Sequence, residues 1–174
     1  MSSEVCDYFF MVGRLVSYKR FDLAVKAFNK NGLPLKIVGT GSEFNKLKKI
    51  SEKNIEFLGL VSDEKLAELY SNARACIFPQ EEDFGIVPLE SMASGRPVIA
   101  FRAGGATETI VENKTGVFFD EQTPESLQVA IEKFISIDFK SEDCRERAEK
   151  FDIEIFKNNI AKYIKGMETE NKKT

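Results

Sequence analysis

YFFMVGRLVSYKRFDLAVKAFNKNGLPLKIVG, residues 8–39, packs two apolar runs of strand length around a segment with helical spacing. YFFMVG and PLKIVG read as strands, and RFDLAVKAFN between them reads as a helix. A strand, a helix and a second strand in succession point to parallel pairing through a crossover, because only a long connection returns the chain to the same end of a sheet. Further along, SEFNKLKKISE, SDEKLAELYSNA, VPLESMAS and ATETIV read as helices, alternating with NIEFLG, ACIFP, PVIAF and TGVFF as strands. The alternation predicts an α/β fold, a Rossmann-like parallel sheet with helices on both faces.

Boundary residues agree with this order. Ser62 and Thr123 suit N-caps, and Pro124 suits the first helical position. In TPESLQVAIEKFISI, residues Leu127, Ala130, Ile131, Phe134 and Ile135 share one helical face, which predicts a helix lying on the sheet. Ile153, Phe156, Ile160, Ile164 and Met167 form a stripe on a C-terminal helical extension. That stripe is expected to pack on the domain, with cover for a partner as the alternative. Residues 1–168 are read as one domain and 169–174 as a polar tail that frays.

Composition narrows the function. The 174 residues carry 25 Lys and Arg against 28 Asp and Glu, a net charge of -3 with the signs interspersed, so no nucleic-acid partner is expected. No apolar run spans a bilayer and the start lacks a basic flank, so the expected setting is the cytoplasm, with docking of a longer parent on a membrane surface left open. Cys6, Cys76 and Cys144 fit neither a disulfide framework nor a zinc site, and Cys76 in ACIF reads as core. The chain has no histidine. Histidine triads, HExxH metal sites and imidazole acid–base chemistry are thereby excluded.

In a parallel sheet, ligands gather at the carboxyl ends of the strands. Four loops belong there: GRLVSYKR, GTGSE, PQEEDFGIVP and RAGGATE. None holds a GxGxxG fingerprint or a GxxxxGK[ST] loop, which leaves dinucleotide and P-loop chemistry without a motif. Arg14 and Lys19, just after Gly13, can converge on an anion, while Arg20 is expected to face solvent. Gly85 and Pro88 suit a helix start, leaving the amides of Gly85, Ile86 and Val87 as anion donors. Glu90 is expected in the first turn of that helix, where dipole and capping explain a glutamate without any ligand. Glu82 has the equally ordinary reading of an exposed acid. As a site, the two carboxylates would need the cations of Arg14 and Lys19 beside any diphosphate.

The ordered series VGRLVSYKR, IVGTGSE, FLGLVSDEKLAELY, FPQEEDFGIVPLESMASGRPVIA and GGATETIVENKTGVFF resembles the C-terminal nucleotide-sugar-binding domain of retaining GT-B glycosyltransferases. Within them it is most similar to the branch of bacterial and archaeal mannosyltransferases. Glu82 and Glu90, with seven residues between them, match that family's E-x7-E signature. The resemblance implies that Arg14 and Lys19 bind the donor diphosphate, that Glu82 lies near the transferred hexose, and that Glu90 accepts from ribose hydroxyls. By the same resemblance, Gly13 and the amides around Phe84, Gly85, Ile86 and Val87 hold phosphate and sugar oxygens, and Leu60 and Val61 meet the base. Thr40 and Gly41 border the diphosphate, and Gly104, Gly105 and Glu108 match a motif of structural role.

The donor implied is GDP-mannose first and a UDP-sugar second, with no cofactor and no metal, since the chain has no Asp-x-Asp pair. Family members pair this domain with an N-terminal acceptor-binding domain. That partner is expected in the same parent chain or in a separate subunit. A donor-binding half of a transferase and a non-catalytic nucleotide-sugar-binding or scaffolding module both fit the sequence. Asn113-Lys114-Thr115 spells a glycosylation sequon and is read as an ordinary turn.

Overall fold

A computed structural model describes residues 7–171. Six strands, β1 Phe9–Val12, β2 Leu35–Val38, β3 Ile55–Gly59, β4 Ala75–Phe78, β5 Val98–Phe101 and β6 Gly116–Phe119, form one parallel sheet in the order β3-β2-β1-β4-β5-β6. Between them run α1 Phe21–Asn31, α2 Phe44–Ile50, α3 Asp63–Asn72, α4 Ile86–Ala93 and α5 Ala106–Thr109. After the sheet come α6 Pro124–Ile135, α7 Ser141–Glu149 and α8 Ile153–Asn171. Every strand and helix expected from the alternation is present.

The strands are apolar on both faces because both faces are covered. On one side Phe9, Met11, Leu35, Ile37, Ile77 and Ile99 meet Leu23, Phe28, Leu127 and Ile131 of α1 and α6. On the other, Phe10, Cys76, Phe78, Val98 and Ala100 meet Leu69, Tyr70 and Met92 of α3 and α4. Cys76 is core, as expected, with 1% of its surface exposed. Side-chain oxygens of Ser62 and Thr123 accept from the amides of Lys65 and Ser126, and Pro124 opens α6. Asn113 turns the chain at φ 60°.

Three expectations need correction. Ile135 is half-exposed, because the face of α6 that reaches the core ends at Phe134. The stripe on α8 does not pack on the domain: Ile153, Phe156, Ile160 and Ile164 stand in solvent. α8 also continues to Asn171, into the segment read as a fraying tail. Cys6 and residues 172–174 lie outside the described residues, as does the side chain of Met167. α7 was not anticipated. It packs against α4 through Cys144 and Ala148, and Arg147 donates to the carbonyls of Glu108 and Thr109 at the end of α5.

Candidate functional site

Chain from β1 crosses towards β2, whereas chain from β4 crosses towards β5, so the loops after these neighbouring strands leave in opposite directions. Such a switch point opens a crevice at the carboxyl ends of the strands. Lys19 stands on the loop after β1 and Glu82 on the loop after β4, and their side chains form an ion pair. Both are largely withdrawn from solvent, 14% and 22% exposed, so the pair is stronger than a surface contact. Gln80, itself buried, approaches the same carboxylate oxygen at 3.4 Å. An ammonium has three donors, so Lys19 retains capacity for a further acceptor.

Gly13 adjoins this pair, since a β-carbon there would lie 3.9 Å from Lys19 Nζ. From Gly13 a groove of about 370 Å³ extends over the ends of β1, β2 and β3, lined by Arg14, Thr40, Leu60, Val61 and Leu66. Backbone bonds join these loops: Gly13 N to Val38 O, Leu15 N to Thr40 O and Gly39 N to Gly59 O. Gly41 backs onto Leu15, where a β-carbon would come within 2.3 Å of the Leu15 carbonyl oxygen. Arg14 is exposed, and its guanidinium has no hydrogen bond or ion pair among the described residues. The structure therefore gathers Gly13, Arg14, Thr40, Leu60 and Val61 in one groove with Lys19 and Glu82 at its rim.

Gly85, at φ 77°, heads α4. The amides of Gly85, Ile86 and Val87 have no backbone acceptor among the described residues, as the start of a helix requires. Val87 packs into the core, while Ile86 and Phe84 are exposed and the Phe84 ring meets Phe151 edge-on. The loop carrying Glu82 is seated by Gly104 and Gly105. Gly105 N donates to Glu82 O at 2.8 Å, and β-carbons at the two glycines would lie 2.3 Å from the Glu82 and Phe84 carbonyl oxygens. The structural role expected of that pair is thereby explained.

Glu90 is the fifth residue of α4, not part of its first turn, so neither capping nor the dipole accounts for it. Its carboxylate accepts a 2.8 Å hydrogen bond from the hydroxyl of Tyr70 on α3. Burial, with the neighbouring Cys76 and Glu90, holds the Tyr70 hydroxyl above the usual phenol range, keeping it a donor. Arg20 also departs from expectation. It is half-buried, and its guanidinium binds the side chain and backbone carbonyl of Gln122. Tyr70, Gln80 and Gln122 were not singled out by sequence; only Gln80, two residues from Glu82, had a signal, and an amide invites less notice than a charge. No group of three or more His, Cys, Asp and Glu side chains suited to a metal occurs among the described residues. No described helix is long and apolar enough to cross a membrane.

Comparison with known proteins identifies the family. Residues 5–151 fit the family model of glycosyl transferases group 1. An uncharacterised glycosyltransferase of Methanocaldococcus jannaschii is 31% identical over 137 residues, 75% of this chain and 39% of that protein. Human alpha-1,3/1,6-mannosyltransferase ALG2 is 36% identical over 131 residues, 71% of this chain and 30% of its own. The chain thus spans well under half the length of these relatives. Among solved structures, sucrose-phosphate synthase of Thermosynechococcus elongatus superposes with a TM-score of 0.81 at 25% identity, covering 94% of this chain and 46% of that one. Anabaena HepE, in complex with UDP and glucose, gives 0.77 at 21% identity over 94% of this chain and 49% of its own. With a family model spanning most of its length, this chain belongs to the group 1 glycosyl transferases.

Proposed function

We propose that this chain is the donor-binding part of a retaining glycosyltransferase that moves a hexose, mannose in the first instance, from a nucleoside diphosphate sugar to a glycan or lipid-linked acceptor. The observation that carries the reading is the Lys19–Glu82 pair at the switch point, beside a groove that presents Arg14. A carboxylate next to a diphosphate repels it unless a cation intervenes, and Lys19 stands in that position for Glu82. In this reading Arg14 and Lys19 hold the diphosphate and stabilise the charge that develops as it leaves. Preorganised donors of this kind act most where charge appears in the transition state. The amides at the head of α4 add to them, Glu82 faces the hexose, Glu90 takes the ribose and the apolar groove wall at Leu60 and Val61 takes the base.

Mannose is favoured by the likeness to the human mannosyltransferase, and a UDP-sugar comes second, UDP being bound by the Anabaena neighbour. Two cationic side chains and helix amides supply the positive field, so no metal is invoked. The acceptor is held by a further domain, in the parent chain or another subunit. Calorimetric titration with GDP- and UDP-sugars, repeated with chelator, tests the reading. Binding of one nucleotide series, indifferent to chelator, is expected. No binding of either series, or binding that collapses on chelation and returns with Mg2+, would refute it.

A further inference from the structure

Arg20 adopts the left-handed conformation, φ 54° and ψ 33°, which a side chain bearing a β-carbon occupies at an energetic cost. It sits next to Lys19, closing the short 3-10 turn Ser17–Lys19 and opening α1. Its guanidinium explains how the conformation is held. Nη1 donates to Gln122 Oε1 at 2.9 Å, Nη2 donates to Gln122 O at 3.2 Å, and Nε lies 3.5 Å from Asp22 Oδ1. Gln122 lies between β6 and α6, and its amide nitrogen donates to the Pro79 carbonyl at 2.9 Å. Both ends of the Gln122 amide are thus engaged in one orientation, because a flipped amide would face donor to donor and acceptor to acceptor. Pro79 begins the loop that carries Gln80 and Glu82.

A continuous bridge therefore runs from the Lys19 turn through Arg20 and Gln122 to the Glu82 loop, spanning the switch point beside the Lys19–Glu82 ion pair. We infer that Arg20 and Gln122 are positioning residues, a clamp that holds Lys19 and Glu82 in register and so sets how tightly a diphosphate binds. The inference rests on the donor-binding reading above. A clamp touches no substrate; it acts by narrowing the arrangements open to the two loops, which is the usual way supporting hydrogen bonds sharpen a site.

Glycine at position 20 separates the clamp from the fold. Arg20→Gly removes the guanidinium and relieves the left-handed backbone, a gain that offsets part of what its lost hydrogen bonds cost, so its melting temperature should stay within a few degrees (~5 °C) of the parent's. Gln122→Ala removes the bond to Pro79 and one of the two from Arg20, keeps the backbone carbonyl that takes the other, and changes no residue of either loop. In calorimetry on the 174-residue chain, with GDP and UDP as probes and guanosine and uridine as phosphate-free controls, each variant should weaken diphosphate binding by about tenfold and leave the nucleoside unchanged. The double variant should be no weaker than the worse single, since both sever one linkage. In parallel, hydrogen exchange should quicken at amides of residues 15–20 and 80–85 in both variants. Diphosphate binding at parental strength in both, where Lys19→Ala has lost it, would overturn the clamp. If Lys19→Ala binds diphosphate as the parent does, the donor reading fails separately. Exchange then decides the clamp: quickened loops support it, and unchanged loops reject it.

Discussion

Lys19 neutralises Glu82 and stands beside Gly13 at the end of the groove, which makes it unequal to Arg14, a cation that lines the groove with no carboxylate partner among the described residues. Arg14→Ala removes one cation. Lys19→Ala removes a cation and leaves a bare carboxylate beside the phosphates. Each should weaken nucleoside diphosphate binding by about tenfold to hundredfold, on the usual strength of charged hydrogen bonds, with the larger loss at Lys19. Adding Glu82→Gln to Lys19→Ala should recover part of that loss, as titration calorimetry would read directly. Tyr70→Phe is the second residue-scale test. The ring keeps its edge-on contact with Phe10, but Glu90 loses the hydroxyl that fixes one of its oxygens. About 1 kcal/mol of stability should be lost in a denaturant titration, and the preference for ribosyl over deoxyribosyl nucleotides should fall. Arg14, Lys19 and Glu82 stand out in the sequence because they are charged and lie in loops of a recognisable series, and Glu90 stands out by its spacing from Glu82. Tyr70 was not, because at ELYSN it is one more apolar-faced helix residue, and nothing in a spacing of this kind says which carboxylate its hydroxyl reaches.

At the scale of elements, the sheet and its crossovers were readable because each strand is a short apolar run and each covering helix has one apolar face. α7 escaped because SEDCRERAE offers the core only Cys144 as a fully buried side chain; its place is fixed by packing on α4 and by Arg147. Burial of the α8 stripe was expected from periodicity alone, which shows that a face is apolar and not what covers it. The contact between the Gly104–Gly105 turn and the Glu82 loop makes a sharp test. Gly105→Ala drives a β-carbon against the Phe84 and Asp83 carbonyls and should cost about 1–3 kcal/mol in chemical denaturation, with a matching loss of donor affinity. Beyond the site, Arg102 at the end of β5 binds Glu112 through both outer guanidinium nitrogens, and Lys133 of α6 binds the same carboxylate. These bonds hold the Glu112 carboxyl well below its ordinary 4.5, at about 2. A lowered folded value stabilises above the unfolded one, so the contribution is whole above about pH 4.5 and is lost as pH falls through about 2. The group is partly exposed and screened, which limits it to about 1 kcal/mol. Glu112→Gln should therefore be less stable than the parent at pH 7, with the gap closing towards pH 2.

For the whole molecule, the sheet order 3-2-1-4-5-6 places the switch point between β1 and β4, and the proposed donor site is built from loops at that end together with Glu90 of α4. In the proposed reading the chain offers one wall of a cleft. Alignment of an acceptor with the donor carbon needs a second, so the purified chain should bind a nucleotide sugar modestly and transfer little of it until an acceptor-binding domain is supplied, as a radiolabelled-sugar transfer assay would read. Size alone does not select the site, because the groove at the opposite end of β2 and β3, lined by Lys36, Lys48 and Lys53, is about 410 Å³ against about 370 Å³ for the one beside Lys19. Amide chemical shifts followed by NMR while GDP-mannose, and then a UDP-sugar, is titrated into the labelled chain separate the two most directly. The account predicts perturbations at Gly13 to Lys19, Thr40 and Gly41, Leu60 and Val61, and Gly85 to Val87, with Lys36, Lys53 and Asn54 unmoved. Perturbations confined to Lys36, Lys53 and Asn54 would contradict it.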